Sequence, residues 1–157
     1  MLKSIKEKGI KEASKSPCNS KHAAFIVKKN KIIAKGYNNP RTSFLGMIKC
    51  CQHAEMSAIT KFNNCILEKI TNKNKKKRII NKCKIYILRI SNKNSNFTFS
   101  APCKDCYKKL KEIGFTKIYF TDYNGEFIKI NINTFKTKHL SFAQQKFNKT
   151  FKIYKNK

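Results

Sequence analysis

The chain has 157 residues, 40% of them apolar, with a formal net charge of +28. That is enough to bury one core without disulfide staples, and too apolar for a disordered tail. Its apolar stretches, such as His22–Val27 and Ile85–Leu88, are strand-sized, which excludes a membrane-spanning helix. Charges also run through Met1–Glu7, where a secretion signal needs an apolar block, so the sequence reads as a soluble cytoplasmic protein.

The charge has two readings. A strongly basic surface attracts nucleic acid or phosphate-bearing substrates. Only Arg41, Arg78 and Arg89 of the 36 basic residues are arginine, however, and the chain is crowded with Lys, Asn and Ile, as an AT-rich genome produces. Arginine is the residue suited to bidentate phosphate recognition, so lysine alone favours diffuse charge.

Taken in chain order, Leu2, Ile5, Ile10 and Ala13 recur at helical spacing and predict a first helix that ends by Pro17. His22–Lys29 and Lys31–Tyr37 are apolar runs split at Asn30-Lys31, which predicts a β-hairpin. A loop through Asn38-Asn39-Pro40 leads to a helix from about Cys51 to Ile70, whose apolar side is Ala54, Ala58, Ile59 and Phe62. Asn72–Lys82, with six basic residues and no acid, reads as a solvated loop. Ile85–Ile90 is a strand and Phe97–Phe99 a short returning one. Cys103–Ile113 is a helix stopped by Gly114. Lys117–Thr121 and Phe127–Ile132 are strands joined by a turn at Asn124-Gly125, and a Lys-rich tail carries a short helix at Ser141–Phe147. The order predicts an α/β layered domain with a mixed sheet, antiparallel at first and parallel through the strand–helix–strand unit.

Seven cysteines in a chain that reads as intracellular point to ligands or buried thiols rather than disulfides. Cys103 and Cys106, at i and i+3 on a helix's first turn, point the same way, and a helix N-terminus supports their thiolate charge. Pro102 suits a helix entry, where its missing N–H is not needed. With His53 they make three protein ligands, the number of a catalytic zinc site that keeps its fourth position for water. Glu55 lies two residues from His53, placed to move a proton rather than hold metal. Either half alone is weak. His-x-Glu followed by Pro-Cys-x-x-Cys is together the signature of zinc-dependent nucleobase deaminases.

On these motifs the chain resembles the cytidine and deoxycytidylate deaminase superfamily, over roughly Lys21 to Ile132. Ser20–Val27 looks like its first strand, Gly36-Tyr37-Asn38 its sugar loop, His53–Ile59 its zinc helix and Ser100-Ala101-Pro102-Cys103 its second block. The resemblance implies a three-layer αβα fold around a mixed five-stranded sheet, with 1–20 as lead-in, 21–132 as the deaminase domain and 133–157 as the tail. It implies a zinc ion on His53, Cys103 and Cys106, with Glu55 as the proton carrier. It also implies Asn38 on the sugar, the Ala54 N–H on the base carbonyl, backbone near Ser100 and Ala101 on the amino group, and Tyr123 as an aromatic contact, with buried Phe120 its rival.

The implied activity is hydrolysis of cytosine to uracil in a nucleoside, a nucleotide or single-stranded nucleic acid, by a chain that forms dimers or tetramers as the superfamily often does. Two alternatives stand beside it. An adenosine deaminase acting on transfer RNA typically has Glu directly before Pro-Cys, where this chain has Ala101. A zinc-stabilised binding module has no need of Glu55. Cys18, Cys50 and Cys51 with His22 are candidates for a second, structural zinc, but no paired spacing supports one. The gap between the two blocks is longer than in most members, because of the Lys-rich segment and the Asn92–Phe99 excursion. Insertions of that kind fall in loops and leave the catalytic set intact.

Overall fold

A computed structural model describes residues 1–135, 137–141 and 145. Helix α1 spans Leu2–Ala13, and strands β1 (Lys21–Lys28) and β2 (Lys31–Tyr37) form the hairpin. The turn sits one residue earlier than the sequence suggests, on Lys29 and Asn30, both at positive φ (44° and 63°). Two left-handed residues match the right-handed twist of the flanking strands.

The loop that follows holds a hairpin the sequence reading lacks, β3 (Ser43–Phe44) with β4 (Met47–Ile48), turning at Leu45 and Gly46. Helix α2 is shorter than expected. It runs Ala54–Phe62 and passes into a π turn over Asn63–Leu67.

The largest correction is Asn72–Lys82, which is not a loop. Lys73–Asn81 form helix α3, whose N-cap Asn72 accepts a side-chain hydrogen bond from the Lys75 N–H. Lysine is a good helix former when its ammonium reaches water, and no Gly or Pro interrupts the segment. Ile80 is buried and anchors the helix to the core. Strand β5 (Cys83–Ile90), β6 (Phe97–Thr98), α4 (Lys104–Ile113), β7 (Lys117–Thr121) and β8 (Phe127–Asn131) complete the order. The helix predicted over Ser141–Phe147 falls mostly outside the described residues. Among those residues no helix is long and apolar enough to cross a membrane.

The sheet order is β2-β1-β5-β7-β8, with β6 paired to the end of β5. β1 is antiparallel to both neighbours, β5 and β7 are parallel across α4, and β8 returns antiparallel, giving the expected mixed sheet. Alternation along each strand builds two cores. Ala24, Ile26, Ile85, Ile87 and Ile118 face α2, α3 and α4. Ala23, Phe25, Val27, Tyr86 and Leu88 face Ile5 and Ala13 of α1. The result is three layers, α on β on α.

Two glycines shape the frame around the site. A Cβ on Gly36 of β2 would lie 2.3 Å from the Ala58 N and 2.7 Å from the Ser57 carbonyl carbon, so only glycine lets β2 approach α2 this closely. Gly114, at φ 102°, ends α4 in the left-handed conformation anticipated from the sequence.

Candidate metal centre and active site

His53 and Cys103 occupy equivalent places. Each is the N-cap residue of its helix, α2 and α4, with extended backbone and no side-chain cap. A side chain at that position that does not cap is free to reach sideways, and these two reach toward each other. Cys106 joins them from one turn into α4. His53 Nδ1 lies 3.2 Å from Cys106 Sγ and 3.5 Å from Cys103 Sγ. All three ligand atoms lie within 4.8 Å of one another, and no other described group of His, Cys, Asp or Glu converges in this way.

This donor set fits zinc. Bond lengths of about 2.0–2.1 Å to nitrogen and about 2.3 Å to sulfur in a tetrahedron put N and S about 3.5 Å apart, as here. Both helix N-termini also direct their positive ends at the cluster, which favours thiolate.

Charge is divided unevenly among the three ligand side chains. The hydrogen bond with Cys106 draws the Cys103 thiol down to about 4 against its burial, with His53 adding to the effect. Cys106 is pushed well above the ordinary thiol range by that same bond and by burial. Burial opposes a charged His53, but hydrogen bonds with Cys103 and Cys51 and the nearby Glu55 carry it up to about 11. The cluster thus sets a thiolate at Cys103 against a positively charged His53, while Cys106 keeps its proton. Glu55, buried in the first turn of α2, is held above the usual carboxylate range chiefly by that burial, with His53 opposing and Cys103 reinforcing.

The loops that complete the site are pinned by hydrogen bonds. Asn38 is 8% exposed. Its Nδ2 donates to the Ser20 carbonyl at 2.6 Å, and its Oδ1 accepts from the His22 N–H at 2.7 Å. The Ser16 hydroxyl donates to its carbonyl. Ser100 is tied at both ends. Its hydroxyl donates to the Ile87 carbonyl at 2.9 Å and accepts from the Thr121 N–H at 2.8 Å, fixing the second block to β5 and β7. Ala54 is fully buried and Ala101 half-buried. Phe120 is buried, as its packing role requires. Tyr123 is 78% exposed and stacks on Phe99, with centroids 5.2 Å apart.

The profile of the cytidine and deoxycytidylate deaminase zinc-binding region matches residues 2–122. The chain belongs to this family. It is therefore a zinc-dependent hydrolytic deaminase of nucleobases. No curated protein matches it. Among solved structures it is similar to cytidine deaminase from Burkholderia pseudomallei at 15% identity and a TM-score of 0.61, over 89% of this chain and 99% of that one. Cytidine deaminase from Mycobacterium leprae is 14% identical with a TM-score of 0.50, over 83% and 92%. The dCMP deaminase of cyanophage S-TIM5 is 23% identical with a TM-score of 0.46, over 78% and 86%. The Burkholderia likeness fixes the three-layer fold.

Two features of the deaminase were not legible in its sequence. His139 has no motif around it, yet its carbonyl accepts the Lys104 N–H at 2.8 Å and so satisfies the first helical donor of α4, beside Cys103. Only the path of the chain brings it there. A cavity of about 250 Å³ borders the centre, walled in part by Phe44, Cys51, His53, Met56 and Cys106. Asn38, Ala54, Glu55 and Ser100 are not on its walls. Among the described residues, Cys18, Cys50, Cys51 and His22 form no cluster that could hold a metal ion.

Proposed function

We propose that this deaminase converts cytosine to uracil in a free nucleoside or nucleotide. The observation that carries the reading is the convergence of His53, Cys103 and Cys106, with buried Glu55 two residues from His53, at two facing helix N-termini. In this reading the three residues hold zinc, which when bound supplies the Lewis acidity that makes water nucleophilic near neutral pH. Water adds at C4 of the base, the C4–N bond breaks, and ammonia leaves. Glu55 takes the proton from the attacking water and delivers it to the departing amine. Its burial supports this role, because a carboxyl held above its ordinary range takes up a proton more readily near neutrality.

The base is held by the Ala54 N–H and by backbone near Ser100 and Ala101, on a loop that Thr121 keeps rigid. Asn38 holds the sugar. One amide hydrogen and one lone pair are already used on Ser20 and His22, which leaves one of each for a sugar hydroxyl. Exposed Tyr123 contacts the outer part of the substrate. A free substrate is favoured over a strand because the densest run of lysine, on α3, lies away from the centre. Ile80 near the end of α3 comes 3.9 Å from a Cβ built on Gly114, at the far end of α4 from Cys103.

Purified protein supplied with cytidine, dCMP and a cytosine-containing oligonucleotide should release ammonia and form uracil on the first two. Glu55→Gln should lower turnover at least about 100-fold while one zinc per chain is retained. Inosine formation from adenosine in transfer RNA, with no uracil product, would replace this reading. Loss of zinc in the Glu55→Gln variant would make Glu55 a ligand instead.

A further inference from the structure

Asn39 and Gln52 belong to no chemical motif, yet they form the only isolated rung in the described sheet structure. Each residue's N–H donates to the other's carbonyl, both at 3.0 Å. The side chains repeat the bond, since Asn39 Nδ2 donates to Gln52 Oε1 at 3.1 Å. Gln52 is 3% exposed, and its Nε2 donates to Thr60 Oγ1 at 3.1 Å. The Thr60 hydroxyl hydrogen is spent on the Met56 carbonyl at 2.8 Å, so Thr60 can only accept from Gln52. The amide of Gln52 is therefore fixed in one orientation, its oxygen toward the Asn38-Asn39 loop and its nitrogen toward α2. Asn39 is oriented too, because its Nδ2 also donates to the Tyr37 carbonyl and its Oδ1 accepts from the Arg41 N–H.

The rung residues are the chain neighbours of Asn38 and His53. One rung thus joins the loop carrying Asn38 to the residue that opens α2, and the Gln52–Thr60 bond ties it to the body of that helix. Gly36, packed on Ser57 and Ala58, makes the same two elements touch two residues earlier.

Resting on the functional reading above, we propose that Asn39 and Gln52 are positioning residues of this deaminase, setting the place of Asn38 and of His53 relative to each other. Neither touches substrate or metal. Both act through their chain neighbours, so their loss should register in sugar binding and in metal retention together.

The test uses the zinc-loaded full chain, with zinc release to a chromophoric chelator and steady-state kinetics on cytidine. Gln52→Leu should speed zinc release about tenfold, the low end for partners outside the ligand set. It should raise KM about tenfold while kcat changes less than about threefold. Asn39→Ala should do the same, and the double variant should be no worse than the worse single, because both remove one device. Thr60→Val, which cuts only the far end, should move both readouts in the same direction by less, and it serves if Gln52→Leu does not fold. A lower Tm with zinc release and KM within twofold of wild type would overturn the proposal and leave the rung a plain structural contact. If wild-type protein deaminates no cytosine substrate, the functional reading falls, and the zinc-release series alone judges the rung.

Discussion

His22 enters β1 with its Nδ1 3.2 Å from the Ser20 carbonyl, and burial pushes its pKa down to about 4, with the charges of Arg89, His53 and His139 adding to that shift. The unfolded chain holds this group near 6.5, so as pH falls below 6.5 the unfolded state takes a proton that the native state refuses. The stability contributed by neutral His22 is therefore complete above about pH 6.5 and is lost as the pH falls toward 4. At pH 4.5 the loss should be about 2 kcal/mol, the half-buried ring keeping it below the full linkage value. Comparing Tm at pH 7.5 and 4.5 for wild type and His22→Gln measures it. The acid-side drop should shrink in the variant, and an equal drop in both would assign it to other groups. Glu12 shows the opposite case. It is buried, but Lys15 and Lys35, at 2.9 and 3.3 Å, overcome that burial and hold its carboxyl below the usual range.

At the level of elements, β2 and α2 approach each other closely at Gly36. Gly36→Ala must push two backbones apart rather than rotate a side chain, so it should cost about 1–3 kcal/mol or more. Because this contact also sets the path to Asn38, weaker substrate binding should accompany the lower Tm in thermal and kinetic assays of the same variant. Helix α3 separates packing from charge. Ile80→Ala should cost about 2–5 kcal/mol, since it opens a gap under the helix. Lys75→Ser and Lys77→Ser, on its exposed face, should stay within about 0.5 kcal/mol and leave cytidine turnover unchanged. Equal costs for Ile80 and the lysines would mean that α3 is not docked as described.

Across the whole molecule, 36 basic residues face eight acids, and the described ion pairs are few. Exposed pairs such as Lys49–Asp105 contribute at most about 1 kcal/mol each and do not offset the self-repulsion of a chain at +28. Raising salt from about 10 mM to about 0.15 M shortens the screening length from about 30 Å to about 8 Å. Tm should therefore rise with salt, while KM for an uncharged nucleoside stays flat. A Tm that falls with salt would show that the pairs outweigh the repulsion. Zinc removal should lower Tm as well, because the ion binds the folded ligand set and scarcely the unfolded one.

Much of this was legible in the sequence because it is local. Continuous apolar runs at Ala23–Val27 and Ile85–Leu88 specified central strands, Gly114 ended α4, and His53-x-Glu55 with Pro102-Cys103-x-x-Cys106 marked the candidate metal site. Helix α3 was not legible, because a Lys-rich run has no apolar periodicity beyond Ile79-Ile80, and docking on the sheet decided it. The Asn39–Gln52 rung, the Ser100–Thr121 bond and the His139 carbonyl on α4 join residues far apart in the chain. Hydrogen bonds of that kind leave no pattern in composition or period, since either partner is an ordinary polar residue until the fold sets the other beside it. The sequence by itself determined which side chains offer metal ligands and which buried carboxyl stands two residues from one of them. Only the tertiary structure decided how the loops around them are held, because that depends on distances between segments and not on the residues within any one of them.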